Sequence, residues 1–124
     1  MRLYHFTARH HWAGIQESGI QPNGHPYLGF VPFVWLTDQP DWAQSWSMRP
    51  VPGSNCDRTE VRLEVVIPKS QRHHLLPWRV ARLAVLDAEK LHDLEAVGMS
   101  EHWFVYSDSI PTGWIRGTEL RHAE

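Results

Sequence analysis

Between Thr59 and Ile67 the chain reads TEVRLEVVI. Val61, Leu63 and Val65 fall on one side of an extended backbone and Glu60, Arg62 and Glu64 on the other, the period-two signature of a half-buried strand. Leu3-Tyr4-His5-Phe6 reads as a second strand, with Leu3 and His5 on one face and Tyr4 and Phe6 on the other. Phe33-Val34-Trp35-Leu36 is a compact apolar strand. His102-Trp103-Phe104-Val105-Tyr106 is another, opened by Glu101, and Trp114 to Leu120 forms a last one. Helical spacing links Ala8, Trp12 and Ile15, with Thr7 as the N-cap and Gly19 as the stop against which Ile20 folds back. A helix is also expected after Thr37-Asp38-Gln39-Pro40, with Trp42 and Trp46 on one face. Asp87 caps a third, amphipathic helix carrying Leu91, Leu94 and Val97, with Gly98 past its end. Gln21 to Gly29, Ser47 to Arg58 and Pro68 to Pro77 are connections, and Trp78 to Ala84 fits either a short helix or an irregular strand. Strands and helices do not alternate regularly, so the pattern predicts α+β with mostly antiparallel sheet and short flanking helices.

The totals narrow the classes. At 124 residues the chain is expected to form one domain, 1–124, with a core that needs no staples. A formal charge of −2 gives no general attraction to nucleic acid or an anionic membrane. Cys56 is the only cysteine, which rules out an intrachain disulfide and a four-cysteine zinc site. His10-His11 and His73-His74 invite a metal reading, but adjacent side chains diverge and no H-x-x-x-H occurs, so no metal is expected. Met1-Arg2 runs straight into the first strand and the apolar runs are too short to span a bilayer, so the expectation is a cytoplasmic protein with no membrane partner. Seven Trp and nine His are many for this length; they supply both core and platforms for a flat ligand.

Three stretches then align in order: LYHFT at residues 3–7, VWLT at 34–37 entering a helix, and SEHWFVY at 100–106. In this order and spacing the chain resembles the ADP-ribosyltransferase superfamily, in its small His-type, toxin-like, phage or bacterial members. The resemblance spans most of the chain. It implies a compact ADP-ribosyltransferase-like fold, with antiparallel sheets around a cleft, and transfer of ADP-ribose from NAD⁺ to an acceptor. That acceptor stays open between protein, nucleic acid and small molecule. Cleaving the nicotinamide–ribose bond passes through an oxocarbenium-like cation, which a carboxylate beside the ribose stabilises. By the resemblance Glu101 is that carboxylate, and Thr37 takes the Ser/Thr position that supports it. His5 hydrogen-bonds the dinucleotide, with Tyr4 and Thr7 beside it, and Tyr27, Trp35, Trp46 and also Trp42 are available as stacking surfaces. Two positions depart from the family pattern. Met99 stands where arginine-modifying members carry a second Glu, and Trp35 where many His-type members carry Tyr. The 2′-phosphotransferase branch of the superfamily stays open, with Arg9, Arg72 and Arg79 unplaced.

Each of these residues has a plainer role. Glu101 is then a surface charge, Thr37 a helix cap, His5 a histidine tied to backbone, and Trp42 and Trp46 core. Two rivals follow. One is a catalytically inactive ADP-ribosyltransferase-like binding module. The other is a small metal-independent RNase toxin using His5 with His73, His74 or His102 as acid and base.

Overall fold

The computed structural model describes residues 2–24, 32–40, 60–85, 87–96 and 100–120. Strand β1 is Arg2–Thr7, β2 Asn23–Gly24, β3 Pro32–Thr37, β4 Val61–Val66, β5 Leu75–Pro77, β6 Trp103–Tyr106 and β7 Ile115–Leu120. Helix α1 is Arg9–Ser18, α2 Trp78–Ala81 and α3 Ala88–Glu95. The strands lie in the order β5-β6-β3-β1-β4-β7, with β2 beside β3, and every described pair is antiparallel. The architecture is α+β. Among the described residues no helix is long and apolar enough to cross a membrane.

The sheet is apolar on both faces, but not along every strand. On one face Leu3, Val34, Leu36, Val61, Leu63, Val65 and Tyr106 form a core covered by Trp12 and Ile15 of α1. On the other, Val105 and Trp103 pack with Trp78 and Ala81 of α2, joined by Trp35 and Leu91. β4 buries only its first face, so its alternation is clean. β6 lies between the two cores, so its sequence is a continuous apolar run.

Several boundaries differ from the sequence reading. Thr7 is not the N-cap of α1. It stays in the β1 ladder opposite Val61, the cap position falls on Ala8, and the Arg9 N–H donates to the Glu60 carboxylate at 3.3 Å instead. Glu101 does not open β6: Ser100–His102 is a 3₁₀ turn and the strand starts at Trp103. Trp114 likewise belongs to a 3₁₀ turn before β7. The undecided segment from Trp78 is α2 followed by a 3₁₀ turn over Arg82–Ala84. Asp87 does cap α3, accepting from the Lys90 N–H at 3.1 Å. Trp103 is buried, whereas Trp12, Leu91 and Phe104 are half-buried at the core margins. The helix expected after Pro40 and the sites at Tyr27, Trp42, Trp46, Cys56 and Met99 lie outside the described residues.

Candidate functional site

The three motif strands are neighbours in the sheet, β6-β3-β1. Register places Tyr4 opposite Thr37 and Thr37 opposite Trp103, one row of side chains across three strands. By alternation His5 belongs to the opposite face, with Leu63 as its partner on β4.

β1 pairs with β3 at Tyr4↔Thr37, whereas its ladder with β4 runs from Arg2 to Thr7. Next to that short contact, His5 Nδ1 lies 2.8 Å from the Trp35 carbonyl oxygen. A carbonyl only accepts, so Nδ1 carries the hydrogen and the tautomer is fixed. His5 is thus tied to backbone, as its plain role requires. The tie also links the first two motif strands. Beside it, Tyr4 is half-buried under the Arg62 guanidinium, 5.5 Å from the ring centroid. Arg62 is anchored in turn on the Pro40 carbonyl and Glu119. Thr7 is buried at the end of β1.

Trp35 belongs to an aromatic group. Its ring centroid is 4.9 Å from that of Trp78 and 6.1 Å, edge-on, from that of Trp103. The indole is half-buried at the second core, so part of the ring is taken up by packing and part stays open.

At the far end of β3 a polar group assembles that the sequence did not reveal as a unit. The Thr37 hydroxyl accepts from the Gln39 N–H at 3.2 Å, turning the chain as β3 ends. The Asp38 N–H donates to the His102 carbonyl at 3.2 Å, carrying the β3–β6 pairing one step further. His102 Nδ1 consequently lies 2.9 Å from Asp38 Oδ1, and its Nε2 lies 3.7 Å from Glu101 Oε1. Glu101 is largely exposed, with 70% of its side chain open to solvent. In the sequence Asp38 reads as a helix-start residue and His102 as a separate acid–base candidate. Their contact spans 64 positions and depends on the β3–β6 register.

Asp38, Gln39, Glu101 and His102 therefore form one connected group at the surface, seated on the buried Thr37, and His5 ties β1 to β3. Among the described residues no three His, Cys, Asp or Glu side chains come together as metal ligands. No protein-family model matches the chain, and no curated protein matches it.

Proposed function

We propose that the chain is an ADP-ribosyltransferase-like enzyme, cleaving the nicotinamide–ribose bond of NAD⁺ and passing ADP-ribose to an acceptor. The adjacency of β1, β3 and β6 carries this reading. Motifs that begin near residues 3, 34 and 100 of the sequence occupy three successive strands. Glu101 supplies the carboxylate for the oxocarbenium ion, in an exposed position that a substrate can reach. His5, its ring fixed on the Trp35 carbonyl, orients a ribose hydroxyl of the dinucleotide. Thr37 supports the carboxylate indirectly, through the turn that sets Asp38 and Gln39 against the Glu101-His102 segment.

Calorimetric titration of NAD⁺ into the protein tests the binding half. Saturable binding that weakens in His5→Ala is expected. Heat of binding without nicotinamide release would instead identify an inactive binding module. The Asp38–His102 contact favours one other reading, metal-independent RNA cleavage with His102 as base. Incubation with bulk RNA in the absence of NAD⁺ separates the two.

A further inference from the structure

Stabilising an oxocarbenium ion needs Glu101, but it leaves the Asp38–His102 pair without a task. The geometry of that pair is specific. A carboxylate only accepts, so at 2.9 Å the Nδ1 hydrogen of His102 points at Asp38 Oδ1 and the lone pair of the neutral ring sits on Nε2. The Gln39 amide nitrogen lies 3.3 Å from the same Nδ1 and 3.1 Å from Asp38 Oδ1. Two donors cannot bond each other, so the amide serves the carboxylate and steadies it. One backbone bond, Asp38 N–H to the His102 carbonyl, ties the two partners together, and Gln39 N–H on the Thr37 hydroxyl holds the turn that carries Asp38. The imidazole is not sealed in; His102 and Asp38 are 33% and 36% exposed. Nε2 and the Glu101 carboxylate, 3.7 Å apart, are close enough to serve one reacting centre.

We propose that His102, oriented by Asp38, is the general base for an acceptor hydroxyl, so that the acceptor is an oxygen nucleophile. The proposal rests on the NAD⁺-cleaving reading above. The acceptor oxygen forms a bond to the ribose C1′ while the C1′–nitrogen bond breaks, and that electron pair stays on the nitrogen as neutral nicotinamide leaves. The hydroxyl proton passes to His102 Nε2, and the Asp38 carboxylate balances the imidazolium until the proton is lost to water. A hydroxyl becomes acidic as its oxygen attacks, which suits an imidazole base. A guanidinium acceptor is poorly matched to it, because it stays charged and must lose a proton before it has a lone pair to attack with, which an imidazole is too weak a base to bring about.

The test uses the full chain with NAD⁺ in buffer containing glycerol as the hydroxyl probe, following nicotinamide and glyceryl-ADP-ribose. His102→Ala is expected to slow both products by about 10²-fold or more, the range for losing a general base. NAD⁺ affinity should be unchanged, and added imidazole should restore part of the rate. Asp38→Asn is expected to slow both products by a smaller factor, again with affinity retained. His102→Ala turning over at the wild-type rate, losing NAD⁺ affinity, or slowed with no response to imidazole overturns the general-base assignment alone. Wild-type protein that releases no nicotinamide overturns the NAD⁺-cleaving reading, and this proposal with it.

Discussion

Gly19 sits at a φ of 78° where α1 stops, and its N–H closes the helix on the Ile15 carbonyl at 2.8 Å. A Cβ there would meet the Ile110 carbonyl oxygen at 2.2 Å. Ile20 and Ile110 exchange backbone hydrogen bonds at 2.8 Å in both directions, so the helix end is locked onto the core and cannot relax sideways. Gly19→Ala therefore combines a disfavoured backbone conformation with a clash. It should destabilise the fold by at least about 1–3 kcal/mol in urea unfolding. The role of Gly19 as a helix stop was legible from its place after a helical pattern. Its contact with Ile110 was not, because nothing local marks a residue 91 positions away as the neighbour.

At the scale of elements, α2 and α3 are joined through one carboxylate. Glu95 accepts from the Trp78 indole N–H at 2.7 Å and from Arg82 through two N–H groups, both at 2.9 Å. The Arg82 hydrogen bonds hold the Glu95 carboxyl below its ordinary value of 4.5; partial burial opposes this and the indole adds to it. A carboxyl lowered in the folded state stabilises it above the unfolded value, and that contribution is lost as pH falls through the folded one. Glu95→Gln should therefore be less stable than wild type at neutral pH, with the gap closing as pH drops below about 4.5, as read from urea midpoints. Trp78→Phe keeps the ring but removes the donor, and should cost about 0.5–1.5 kcal/mol. β4 and the cap of α3 follow from local pattern and were read correctly. The segment after Pro77 has no clean period. It becomes helical where Trp78 and Ala81 bury in the second core and Trp78 and Arg82 reach Glu95.

At the scale of the whole molecule, sheet order does what no single motif can. β1 and β3 are separated by α1, β2 and the chain between them, and β6 follows more than sixty residues after β3 ends; the antiparallel order sets all three side by side. β1, β3, β4, β6, β7 and the α+β grouping were legible, since each of these strands carries its own apolar pattern; β2 and β5 fall in Gln21–Gly29 and Pro68–Pro77, which read as connections, because strands of two and three residues are too short to show a period. The Asp38–His102–Glu101 group was not, because it exists only through the Thr37↔Trp103 register. Trp35, which the resemblance assigns to ligand stacking, is half-buried in the fold, and its ring packs beside Trp78 and Trp103. The central claim is that Glu101 stabilises a sugar cation formed from NAD⁺. Its most direct test is nicotinamide release by wild type and Glu101→Gln at saturating NAD⁺, with affinity measured alongside. The substitution keeps size and most hydrogen bonding but removes the charge. The expected result is turnover lower by roughly 10²–10³ with NAD⁺ affinity retained. Equal turnover in the two proteins would contradict the account.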